Sequence, residues 1–146
     1  MATNERRIPA PPEAVWNVLA DPAEYGRWVV GSQRIRAADA AFPAPGARFH
    51  HAVGIGPLRV NDHTEVVEAE PPVRLRLRAK ARPLGTATVI IELVPEHAGT
   101  TVRLVERPDG LYAPLALSPL VHVLTKLRNA ESLRRLEARV MARAGA

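Results

Sequence analysis

From Val73 to Arg82 the sequence alternates without a break. Val73, Leu75, Leu77, Ala79 and Ala81 take one parity; Arg74, Arg76, Arg78, Lys80 and Arg82 take the other. Successive side chains of a strand point to opposite faces, whereas a helix would scatter this pattern around its cylinder. The run therefore demands an antiparallel sheet that is buried on one face and wet on the other. Similar runs lie at 47–53, 58–68, 86–94 and 100–107, with a weaker one at 32–38. Turn formers separate them: Phe42-Pro43-Ala44-Pro45-Gly46, Gly54-Ile55-Gly56-Pro57, Glu70-Pro71-Pro72, Pro83-Leu84-Gly85 and Pro95-Glu96-His97-Ala98-Gly99. Such short breaks predict consecutive hairpins, a meander.

The two ends of the chain read differently. Residues 4–9 predict a short first strand. Pro11-Pro12-Glu13 then opens a helix, because proline suits the first turn and an acid complements the helix N-terminus. Val15, Trp16, Val18 and Leu19 follow at helical spacing. Asp21-Pro22 breaks that helix and caps a second short one, 22–29, which carries Tyr25 and Trp28 and ends at Gly31. Beyond the apolar stretch 111–117, Ser118-Pro119 reads as the cap and first residue of a long helix running to about Arg143. Its apolar stripe drifts. Leu120, Leu124 and Leu127 cluster on one side, whereas Leu133, Leu136 and Val140 lie well round from it. Such a helix curves or meets two different surfaces. No repeat or linker interrupts the chain, so residues 1–146 are expected to form one domain of α+β class. Only the last helix is long enough to cover the concave face of the sheet. The space left between them near the short helices is the expected ligand cavity.

Composition removes several alternatives. Of the 146 residues 47% are apolar, which is not a disordered composition. No cysteine is present, so there is no disulfide framework and no thiolate nucleophile or ligand. The longest nearly uncharged stretch, Leu111 to Leu124, is too short to span a membrane and contains two prolines. The start lacks the apolar core of a secretory signal, and a cytoplasmic protein is expected. The net charge of +5 is uneven: residues 1–73 carry a net of −2 and residues 74–146 a net of +7. That asymmetry either marks a surface for nucleic acid, acidic lipid or an acidic protein, or is an ordinary solvated face. Strand 73–82 offers no aromatic for base stacking, so nucleic acid is not expected.

The order of elements and several local strings resemble the START-like (SRPBCC) superfamily, and within it the polyketide cyclase/dehydrase and lipid-transport family. The strings are Ile8-Pro9-Ala10-Pro11-Pro12-Glu13-Ala14-Val15-Trp16, Leu19-Ala20-Asp21-Pro22-Ala23-Glu24-Tyr25 with Trp28, and Pro45-Gly46-Ala47-Arg48-Phe49. Further on come Asp62 with Thr64-Glu65-Val66-Val67-Glu68, Glu70-Pro71-Pro72, Gly99-Thr100-Thr101-Val102 with Glu106, and Arg128-Asn129 with Leu133 and Leu136. The resemblance implies a helix-grip fold: a curved antiparallel sheet of about seven strands wrapped on the long C-terminal helix, with two short helices after strand 1. It also implies a hydrophobic cavity for a small molecule such as a polyketide, lipid or isoprenoid. In aromatic cyclases of this family, cavity shape and a few polar groups direct the folding of the ligand.

Candidate site residues follow from parity. Asp62 and Thr64 share a parity with Leu58, Val60 and Val66, and so point inward. Glu106 shares a parity with Val102 and Leu104, and either faces inward or sits at a strand end in solvent. A buried carboxylate is costly alone, so Asp62 and Glu106 are either functional or satisfied by a buried arginine or water. His51, in phase with Phe49 and Val53, is a proton shuttle or hydrogen-bonder on one reading and a satisfied histidine on the other. Tyr25 and Trp28 either line the cavity mouth or pack in the core. Asn129, on the apolar line with Leu133, Leu136 and Val140, hydrogen-bonds the sheet or a ligand. Leu124 is a further lining candidate from the long helix. Tyr112 belongs to segment 111–117, which is either a lid or a patch for a dimer, partner or membrane surface. His50, His51 and His63 make no metal triad, because His50 and His51 face opposite ways. No cofactor is expected, and the chain is read as a monomer or homodimer.

Overall fold

The structure is a computed structural model that describes residues 2–30, 32–55, 58–81, 85–109 and 119–145. The expected turns at 56–57 and 82–84, the cap at Ser118, and segment 111–117 with Tyr112 lie outside the described residues.

Strand β1 (Ala2–Ile8) leads into helix α1 (Pro12–Leu19), whose first turn contains Pro12 and Glu13. Asp21 caps the next element as its position suggests, its carboxylate accepting from the Ala23 N–H at 3.0 Å. The single short helix expected here is split into a 3-10 turn (Pro22–Glu24) and a four-residue helix α2 (Tyr25–Trp28). Six strands follow: β2 (Ser32–Ala38), β3 (Arg48–Ile55), β4 (Leu58–Glu70), β5 (Arg74–Ala81), β6 (Gly85–Glu96) and β7 (Gly99–Asp109). Helix α3 (Pro119–Ala144) closes the chain.

All pairings are antiparallel, in the order β1-β7-β6-β5-β4-β3-β2. The first strand returns to pair with the last, Ile8 opposite Thr100, while β2 forms the other edge. The curved sheet, the short helices after β1 and the long final helix make a helix-grip architecture. Parity sorts the faces within β5, but Val73, expected on the buried side, lies before the strand and is 54% exposed. Leu75 and Leu77 are buried, with Ile91 and Leu93 of β6 and Val102 and Leu104 of β7. They meet Val15, Val18 and Leu19 of α1 and Leu133, Leu136 and Val140 of α3 in one apolar core. The charged face of β5 is tied to neighbouring acids. Arg74 donates to Glu68 at 3.0 Å, Arg76 lies 3.9 Å from Glu68, and Arg78 lies 3.8 Å from Asp109. The arginine ladder is thus an ion-paired outer surface.

Helix α3 behaves as two halves. Its C-terminal half buries Asn129, Ser132, Leu133, Leu136 and Val140, whereas no residue from 119 to 128 is buried. Among the described residues no helix is long and apolar enough to cross a membrane.

Candidate functional site

The polar residues that parity turned inward are found inside. His51, Asp62 and Thr64 are all buried. Strands β3 and β4 hold them side by side: His51 pairs with Asp62 and Phe49 with Thr64 in the ladder. His51 Nε2 and Thr64 Oγ1 lie 2.9 Å apart, a diagonal bond across the two strands. The Asp62 carboxylate accepts from the His63 N–H at 2.9 Å and lies 3.4 Å from His63 Nδ1. Burial holds the His63 imidazole below its ordinary pKa, and the positive charges of Lys80 and Arg48 push the same way. Neutral His63 therefore leaves Asp62 a hydrogen-bonding neighbour rather than a full counter-ion.

An aromatic path joins this polar pair to α2. The Phe49 ring stands 5.6 Å from His51 and 4.4 Å from Tyr25, and Tyr25 stands 5.2 Å from Trp28. Phe42 closes the group edge-on, 5.3 Å from Phe49 and 6.0 Å from Tyr25. Nothing periodic marks Phe42, which sits in a proline-rich turn; only its being one of few aromatics could have pointed to it. Tyr25 and Trp28 are 3% and 2% exposed, yet the tyrosine hydroxyl and the indole N–H have no hydrogen-bond partner among the described residues. Burial raises the Tyr25 pKa, so the hydroxyl stays protonated.

Asn129 is buried on α3. Its carboxamide oxygen accepts from Arg128 at 3.3 Å, while its Nδ2 is buried and unpartnered among the described residues. One turn further on, Ser132 Oγ accepts from the Val30 N–H at 3.0 Å. No sequence pattern marks Ser132, because a serine on a helix is ordinary until its partner is known. This bond ties α3 to the end of α2, where Trp28 lies two residues before Val30. Glu24 anchors the same corner. Its carboxylate, itself buried, accepts from Arg139 Nε at 2.8 Å and Nη2 at 3.3 Å.

Two candidates stand elsewhere. Glu106 does take the inward parity, but at the end of β7, where Arg128 of α3 donates to both its oxygens at 2.5 and 2.6 Å. An arginine thus satisfies it, though one whose side chain is 41% exposed and not the buried arginine expected. Leu124 does not join the interior. It is 55% exposed, because the first half of α3 turns its leucines away from the sheet. Among the described residues no group of three histidines or carboxylates is placed to hold a metal ion. Tyr25, Trp28 and Asn129 are thus buried with unpaired polar atoms among the described residues, while His51 and Thr64 bond each other.

Residues 2–141 match the profile of a family described as polyketide cyclase / dehydrase and lipid transport. The chain belongs to this family. No curated protein matches it. Solved structures share the fold. TTHA0849 from Thermus thermophilus is 23% identical with a TM-score of 0.72, over 97% of each chain. CalU16 from Micromonospora echinospora is 22% identical with a TM-score of 0.65, over 94% of this chain and 74% of that one. DynU16, a protein of the dynemicin biosynthetic locus, is 20% identical with a TM-score of 0.68, over 96% of this chain and 46% of that one. At these identities the likeness is one of fold. Family membership accounts for the helix grip.

Proposed function

We propose that the protein binds a small apolar molecule carrying a few oxygen groups, held between the concave face of the sheet and α3, close to α2. The carrying observation is that Tyr25 Oη, Trp28 Nε1 and Asn129 Nδ2 are buried polar atoms with no partner among the described residues. Each such group costs about 1–3 kcal/mol when left unpaired, and a ligand oxygen or a bound water removes that cost. The aromatic group around Tyr25 supplies the apolar walls, and His51, Thr64 and Asp62 supply polar contacts at the far side. Membership of the polyketide cyclase / dehydrase and lipid transport family supports a polyketide, lipid or isoprenoid-like ligand. On that reading, the His51–Thr64 pair beside Asp62 is where a cyclase or dehydratase step would move a proton. Lining roles for Tyr25, Trp28, His51, Asp62, Thr64 and Asn129 belong to the same proposal.

Native mass spectrometry of the protein purified from its own host tests it. A co-purified apolar species, released on denaturation, is the expected result. Protein that emerges at its bare mass, and that gives no tryptophan fluorescence change on titration with 2-acetylnaphthalene, overturns the reading.

A further inference from the structure

Helix α3 turns an apolar side outward along its first half. Leu120, Val123, Leu124 and Leu127 are 69%, 52%, 55% and 63% exposed. At about 100° per residue, these four share an arc of about 100° on the helix circumference. His122, Thr125 and Asn129 occupy the opposite side, toward the body of the protein, where none of them is exposed. The carbonyl of Lys126 accepts from the Asn4 side chain at 3.0 Å, which fixes this half of the helix beside β1. Four large apolar side chains in one outward arc form an exposed patch of the kind that marks an interaction surface.

The charge around the arc selects the occupant. Lys126 flanks it on one side; Arg128, on the other, has its charge taken up by Glu106, and the sequence has no Asp or Glu from Gly110 to Ala130. The first acid on the same arc, Glu131, is engaged by Arg134 at 2.6 and 2.8 Å and by Arg135 at 3.0 Å. A second copy laid arc to arc would bring a second Lys126 and no carboxylate free of an arginine. An apolar strip with Lys126 at its edge and no carboxylate free of an arginine suits the interface of an anionic bilayer, leucines in the acyl boundary and the lysine among phosphates.

We propose that the outer face of Leu120–Leu127 is a docking surface for an anionic phospholipid bilayer. The protein then lies on the membrane along α3. This surface is distinct from the interior groups of the ligand proposal, and each can fail without the other.

The test is co-sedimentation of the full chain with vesicles of phosphatidylcholine alone and of phosphatidylcholine with one third phosphatidylglycerol. Binding to the anionic vesicles is expected, weakened by salt. The double variant Leu124→Asn/Leu127→Asn should lose at least about tenfold in partitioning, since two apolar side chains leave the acyl boundary. Both positions are exposed, so a circular dichroism melt should show no more than the small loss that asparagine's lower helix propensity brings. Lys126→Glu should reduce the preference for phosphatidylglycerol. Absence of sedimentation with either vesicle, or equal sedimentation of wild type and double variant, overturns the proposal. So does a dimer in analytical ultracentrifugation that the double variant abolishes, because the arc then covers a second copy.

Discussion

Tyr25 is buried among Trp28, Phe42 and Phe49 with a hydroxyl that has no partner among the described residues. A buried tyrosine kept only for packing would normally bond its hydroxyl, and replacing it by phenylalanine would then cost about 1 kcal/mol. Here the hydroxyl makes no such bond to lose. Tyr25→Phe is therefore expected to leave stability unchanged or raise it by up to ~1 kcal/mol in denaturant unfolding, while weakening the binding of 2-acetylnaphthalene. A destabilisation of that size instead would show that the hydroxyl has a structural partner. Parity made part of this site legible. His51, Asp62 and Thr64 could be read as inward because the strand period is two and a one-residue slip would have exposed Phe49 and Val66. Whether an inward polar group is satisfied was not legible. Glu106 and Asp62 have the same kind of signal in the sequence, yet Arg128 reaches Glu106 from a helix 22 residues away. That pairing depends on where α3 crosses the sheet.

At the scale of elements, the hairpin between β6 and β7 shows how closely the first strand is held. A Cβ on Gly99 would lie 2.8 Å from the carbonyl oxygen of Ile8. That carbonyl cannot retreat cheaply, because it also accepts from the Ala10 N–H at 2.8 Å at the entrance to α1. Gly99→Ala should destabilise the protein by about 1–3 kcal/mol, as overpacking against fixed backbone does. Gly26 is the contrast. It sits within α2 with nothing within 4 Å of its Cβ position, so Gly26→Ala should be neutral or stabilise by up to ~1 kcal/mol. Thermal melts of the two variants moving together, rather than apart, would contradict this account. The strands and their turns were legible because alternation and proline-glycine punctuation are local signals. In α3 the drift of the apolar stripe was equally visible, and two surfaces were expected of it. Which half would face the sheet was not visible, since both halves carry leucines. The choice falls to the half whose Ser132 and Arg139 find partners in the segment from Glu24 to Val30.

Those partners organise the whole molecule. Along its second half α3 is tied to the short helices by Ser132 to Val30, Arg139 to Glu24 and Arg143 to Asp21, the last at 3.3 Å. The ties close one end of the grip and hold Tyr25 and Trp28 in place. Hydrogen bonding from Arg139 keeps the Glu24 carboxyl below its ordinary pKa of 4.5, against the opposing effect of burial, with Arg27 and Arg143 adding to the pull. The folded state therefore binds fewer protons than the unfolded state around that pH. Its contribution to stability is full above the unfolded pKa and is lost as pH falls through the lower folded value. Stability should fall as pH drops below the ordinary value of 4.5, with amide exchange rising across residues 22–30. Glu24→Gln should make that exchange faster already at neutral pH and flatten its dependence on acid. Glu131 provides the control. Arg134 and Arg135 hold its pKa down to about 2, but it lies on the outer face of α3 and ties down no other element. Glu131→Gln should leave exchange across 22–30 as in the wild type. Equal acid sensitivity of that segment in both variants would mean that general charge repulsion opens the molecule, and that the Glu24–Arg139 tie does not govern the closure over the site.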